Sequence, residues 1–171
     1  DGSQAATLRY EGLGIAEELT LRMTYTTYPG LPVISKSLTF ENSGAEEFMV
    51  ESVDVESLVL KMRPTATELF TGYCRDKHIG PYEGDWDDPA IAFHLPREKC
   101  GMIVGNEAPG VLKRISYYEG GREICAGLTY PDQDYPFRAW IGEGESFTTP
   151  EVFVLLYREA DSPYEALNFV L

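Results

Sequence analysis

From Leu13 to Tyr25 apolar and polar side chains take turns along the chain. Leu13, Ile15, Leu19, Leu21, Met23 and Tyr25 fall on odd positions; Glu18, Thr20, Arg22 and Thr24 fall on even ones. A period of two over that length predicts a β-strand with one wet face, because successive strand side chains point to opposite sides. Tyr28-Pro29-Gly30 ends it as a turn. Ile34, Leu38 and Phe40 then alternate with Ser35, Ser37 and Thr39, predicting a second strand that closes on the turn Asn42-Ser43-Gly44. Phe48 to Leu60 reads as one long β-branched run through Val50, Val53, Val55 and Val59. Further strands are predicted at 67–73, 90–95, 101–104, 112–118, 124–130, 137–141 and 152–157. Roughly ten short strands at about 8–14-residue intervals predict an all-β antiparallel sandwich.

Two stretches leave that rhythm. Cys74 to Asp88 is too polar and too often broken by Gly and Pro for a strand, and reads as a long loop of the kind that carries function. At the other end, Ser162-Pro163-Tyr164-Glu165 has the N-cap serine, first-turn proline and third-position glutamate of a capping box. Ala166, Leu167 and Phe169 follow, and the sequence ends at Leu171. A helix so short is marginal by itself. Residues 1–160 therefore read as the β-sandwich, and residues 161–171 as the start of a linker helix toward a further domain.

Composition narrows the function classes. The 171 residues are enough for a single domain with its own core. Twenty-eight acidic residues against 14 basic ones give a net charge of −14. That field repels phosphate backbones and anionic lipid, which argues against nucleic-acid and membrane partners. No apolar run reaches the roughly 20 residues of a bilayer span. Asp1 to Thr7 lacks the basic and apolar regions of a signal peptide, and the compartment stays open. Cys74, Cys100 and Cys125 are an odd, widely spaced set, and Cys100, in phase with Met102 and Val104, reads as a small buried hydrophobe. His78 and His94 lack ligand-like spacing, so neither a metal nor another cofactor is expected. His78 reads as an exposed loop residue, His94 as a sheet-face residue and Trp140 as core. Gly105 to Gly110 has no Lys-Ser/Thr continuation and is not a phosphate loop.

Within the 74–88 stretch, Asp85, Trp86 and Asp87, with Tyr82, are the candidate substrate-binding residues. An indole stacks on a pyranose face, and carboxylates accept sugar hydroxyls. The alternative is that Trp86 pins the loop to the sandwich while the carboxylates cap turns. Carboxylates are too plentiful for spacing alone to single out a glycosidase pair, and no nucleophile–base constellation assembles from these residues.

Three segments carry a family resemblance. Tyr28-Pro29-Gly30-Leu31-Pro32-Val33-Ile34, followed by Ser37 to Gly44, resembles the N-terminal domain of the α-galactosidases of glycoside hydrolase family 36. Phe147-Thr148-Thr149-Pro150-Glu151-Val152-Phe153 resembles the last long strand of that domain, and Asp161 to Ala166 the start of its linker helix. The resemblance implies a β-supersandwich of the galactose-mutarotase type ahead of a (β/α)₈ barrel. It places the catalytic aspartates on the barrel, so none is expected in this chain. It also implies a carbohydrate substrate reached through the full-length enzyme, contact with the chain's own barrel, and homo-oligomers. In several members a loop with an aromatic and an acidic residue reaches a neighbouring subunit's active site. The usual Trp-x-Arg-Glu pattern of that loop does not align onto Tyr73-Cys74-Arg75-Asp76. Two readings stand beside this one: a free-standing carbohydrate-binding β-sandwich, and an aldose-epimerase-like enzyme, which two isolated histidines fit poorly.

Overall fold

The structure is a computed structural model that describes residues 2–13, 16–61, 66–70, 75–78, 82–83, 90–108, 113–118, 122–128 and 137–168. Its strands are β1 (Gln4–Leu13), β2 (Ala16–Thr27), β3 (Val33–Asn42), β4 (Phe48–Val50), β5 (Val53–Val59), β6 (Ala66–Phe70), β7 (Arg75–His78) and β8 (Tyr82–Glu83). They continue as β9 (Ala90–Leu95), β10 (Cys100–Asn106), β11 (Lys113–Tyr118), β12 (Glu123–Leu128), β13 (Ala139–Ile141), β14 (Ser146–Thr148) and β15 (Val152–Arg158). One short helix, α1 (Pro163–Asn168), follows. A nine-stranded sheet runs β1-β2-β3-β15-β10-β9-β6-β7, with β14 also paired to β3. A four-stranded sheet, β5-β12-β11-β8, lies against it, and β4 and β13 form a two-stranded ribbon. The described pairings are antiparallel, so the chain is an all-β sandwich.

The main core lies between the sheets. Leu38, Ile91, Phe93, Val104 and Val152 of the large sheet meet Val53, Val55, Ile115, Tyr117, Ile124 and Leu128 of the small one. Phe93 and Tyr117 cross the gap edge-to-face with ring centroids 5.0 Å apart. A second cluster forms on the outer face of the large sheet, where Ala92, Ile103 and Leu155 are covered by Ala160 and Ala166. Strands β9 and β10 are thus covered on both faces, which is why 90–95 reads as an apolar run interrupted only by His94.

Several expectations need correction. The first strand of the fold, β1, precedes the predicted one, and Leu13 belongs to its end and not to β2. Ala6, Leu8 and Tyr10 alternate with Thr7, Arg9 and Glu11, and the register slips at Gly12, whose φ of +67° suits glycine. The run 48–60 is two strands in different sheets. Its apolar phase passes from even (Phe48, Val50) to odd (Val53, Val55) at 51–52, and one strand cannot present both sets on one face. Within the expected 74–88 loop the structure forms β7, paired with β6, and β8, paired with β11, so His78 is a strand residue. Trp140 is 58% exposed. It shares parity with exposed Arg138, whereas Phe137 and Ile141 turn inward.

Two buried asparagines close the layers. Asn42 donates from Nδ2 to the carbonyls of Glu46 (2.7 Å) and Ile141 (3.0 Å) and accepts from the amide of Gly44. Asn106 repeats the device, donating to the carbonyls of Arg114 and Gly127 and accepting from the amide of Ala108. Each satisfies backbone groups that a strand end would leave orphaned.

The candidate functional site and its relatives

The two longest segments that carried the family resemblance meet on the outer face of the large sheet. Tyr28-Pro29-Gly30-Leu31 forms a β-turn closed by the Leu31 amide on the Tyr28 carbonyl at 3.1 Å, with Gly30 at φ +80°. Proline and glycine at the two central positions are what a type II turn requires. Facing it, Thr149-Pro150-Glu151 interrupts the line of β14 and β15 along β3. Pro150 has no N–H for the ladder. Beside it, Thr149 Oγ1 accepts from the Leu38 amide at 3.0 Å and the Thr149 amide donates to the Leu38 carbonyl at 2.9 Å, so Leu38 keeps both its backbone bonds across the interruption.

Between turn and interruption lies a cleft of about 230 Å³ lined by Tyr28, Leu31, Val33, Ser35, Glu107, Glu151 and Phe153. The Tyr28 hydroxyl reaches Glu151 Oε2 at 3.5 Å and Ser35 Oγ at 3.1 Å. The Glu107 amide donates to the Glu151 carbonyl at 3.0 Å, fixing the two glutamates side by side. Neither carboxylate has a lysine or arginine within ion-pair distance among the described residues. The tip of the Phe153 ring occupies the space that a Cβ on Gly105 of the neighbouring strand would fill, so the ring lies across the sheet. A second hollow of about 390 Å³, lined by Pro32, Leu155, Leu156, Tyr157, Arg158, Ala160 and Ala166, lies beside α1 and is mainly apolar.

Of the candidate substrate-binding residues, Asp85, Trp86 and Asp87 lie outside the described residues. The backbone of Tyr82 is placed in β8 opposite Tyr117. His94 is buried on the outer face of β9, with Nδ1 2.9 Å from the Tyr157 hydroxyl and the rings stacked. Cys100 and Cys125 are free thiols and half-buried, and Cys74 lies outside the described residues. Burial, then the nearby Asp54 carboxylate, raises the Cys125 thiol above its ordinary value. No group of three or more His, Cys, Asp or Glu side chains suited to a metal occurs among the described residues. The capping box forms with one change: Ser162 Oγ accepts from the Glu165 amide, but Glu165 returns to the amide of Asp161.

Sequence reasoning overlooked the ion pair of Lys36 with Glu56, 3.2 Å apart between the sheets with side chains 11% and 12% exposed. The Lys36 ammonium also lies 5.5 Å from the Tyr25 ring centroid. The signal was present, because Lys36 falls in the same phase as Ile34, Leu38 and Phe40.

No protein-family model matches the chain, and no curated protein does. Solved structures do. An α-galactosidase from Lactobacillus brevis superposes with a TM-score of 0.76 at 17% identity, over 92% of this chain and 23% of that one. A family-36 α-galactosidase from Geobacillus stearothermophilus, in complex with 1-deoxygalactonojirimycin, gives 0.63 at 22% identity, over 84% of this chain and 22% of that one. The Slr1438 protein of Synechocystis gives 0.57 at 12% identity, over 93% of this chain and 63% of that one. The chain spans less than a quarter of the length of the two α-galactosidases. In fold, this chain is the counterpart of one domain-sized part of the family-36 α-galactosidases.

Proposed function

We propose that the chain is the non-catalytic N-terminal β-sandwich domain of an α-galactosidase-like glycoside hydrolase, serving a barrel that carries the chemistry. The observation that carries this reading is the disparity in coverage: nearly all of this chain superposes on less than a quarter of an α-galactosidase. The capped start of α1 at Ser162 agrees with a chain turning out of the sandwich at that point. The test is the reading frame beyond Leu171. A barrel whose strand ends carry two essential aspartates supports the proposal; a stop or an unrelated domain removes it.

Two finer roles belong to the same proposal. Homo-oligomerisation, or docking of the barrel, would use the apolar face of β1, where Leu8 is 49% and Tyr10 46% exposed. Substrate contact would use Tyr82 of the small-sheet strand β8, with Asp85, Trp86 and Asp87 in the sequence between β8 and the large-sheet strand β9. If Trp86 stacks on sugar, Trp86→Ala lowers kcat/KM of the full-length enzyme about tenfold or more, with stability held within about 0.5 kcal/mol. If it is a plug, stability falls by about 3–5 kcal/mol and the kinetics of the folded fraction do not change. The free-standing carbohydrate-binding reading draws its support from Slr1438, in which this fold makes up most of a chain.

A further inference from the structure

The cleft between the 28–31 turn and the Thr149-Pro150-Glu151 interruption has the makings of a ligand site separate from any barrel. Its walls are largely carbon: Leu31, Val33 and the Tyr28 and Phe153 rings. Its polar residues are few: Glu107 at the rim, and Glu151, Tyr28 and Ser35, whose side chains are linked through the Tyr28 hydroxyl. A small number of placed polar groups in an apolar cleft is the usual form of a small-molecule site. At about 230 Å³ it lies below the roughly 300–1,000 Å³ of drug-sized sites, which suits one ring and not a chain of them.

We propose that this cleft binds the single pyranose ring of a neutral sugar, with vicinal hydroxyls donating to Glu107 and Glu151 and a C–H face laid on Phe153. Three features favour a neutral polyol. The carboxylates can only accept, and ring hydroxyls are donors. The Tyr28 hydroxyl, 3.1 Å from Ser35 Oγ and 3.5 Å from Glu151 Oε2, has two lone pairs and can accept from a ligand hydroxyl. A compact cation would leave water for walls made mainly of carbon, a cost that a neutral ring avoids. The Phe153 ring is held in place from beneath, since Gly105 is the residue that leaves it room. The inference does not depend on the chain being joined to a barrel.

The test is a ¹H–¹⁵N titration of the chain with methyl α-galactopyranoside, methyl α-glucopyranoside and, as a charged control, ethylammonium chloride. Saturable shifts with a pyranoside, confined to amides of residues 28–35, 107 and 151–153, are expected. Glu107→Gln and Glu151→Gln should each weaken that binding about tenfold, as loss of a charged acceptor does. Glu107 is exposed and, among the described residues, is bonded through its backbone alone, so its variant keeps the structure and decides the matter even if Glu151→Gln unfolds. Absence of saturable pyranoside shifts at these amides overturns the proposal. So does an unchanged affinity in Glu107→Gln, or shifts produced by ethylammonium alone that fade with added salt.

Discussion

The middle of the large sheet and its β1–β2 edge are finished differently. Around β9, β10 and β15 the sheet is covered twice, by the small sheet inside and by α1 with Ala160 outside. In the β1–β2 wing the inner face begins the same way: Leu21 and Met23 pack on the main core. One strand further out, their partners Tyr10 and Leu8 are half-exposed. The outer face of the wing is polar throughout, with Thr7 against Thr24 at 3.1 Å and Arg22 against Glu41 at 2.7 Å. The exposed Leu8 and Tyr10 are the surface that the proposed docking of a barrel or a second copy would cover.

The largest expected effect sharpens that contrast directly. Ile103→Ala, at a site with no exposure, should cost about 2–5 kcal/mol. Leu8→Ala, in the same kind of strand, should change the urea midpoint of the isolated chain by no more than about 0.5 kcal/mol. Equal losses at the two positions would mean that the wing is packed in solution and the contrast is false. Next comes the boundary between the regions, where Lys36 of β3 meets Glu56 of β5. Glu56→Gln leaves the ammonium short of its partner in a largely covered place, costing about 1.5–3 kcal/mol. Replacing both residues by apolar ones of similar size should recover most of that in the same denaturation measurement. The smallest effect lies at the far end of the covered region. The Asp161 carboxylate, by hydrogen bond and then by charge, raises the Lys99 ammonium above its ordinary value of 10.5. A raised value means that the folded chain favours the charged form. Its contribution is complete below 10.5 and is lost as pH rises through the raised value. Both side chains are exposed, so the midpoint difference between the native chain and Lys99→Met should be small and should vanish in strong alkali.

Much of this was readable from alternation alone. β2 and β3 fall close to where alternation puts them, and β9 and β10, covered on both faces, where apolar runs do. The phase change at 51–52 and the parity of Trp140 with Arg138 were also in the sequence, and a reading that sums hydrophobicity without tracking parity loses both. Other features depend on partners that no local pattern reveals. Tyr28 and Glu151 are 123 residues apart, and only the pairing of β3 with β15 brings them together. Thr149 is an ordinary polar residue in the sequence, and only the fold brings its hydroxyl to accept from the Leu38 amide, 111 residues away. β7 is hidden by the polarity of Arg75, Asp76, Lys77 and His78 although it pairs with its neighbour β6, and β8 is two residues long and pairs with the sequence-distant β11.

The central claim, that this sandwich serves chemistry performed elsewhere, is met most directly by assaying the purified 171-residue chain against nitrophenyl α-galactoside. The account predicts no release of nitrophenol above buffer at any chain concentration that remains folded. Turnover proportional to chain concentration, and abolished by substituting a carboxylate of this chain, would contradict it.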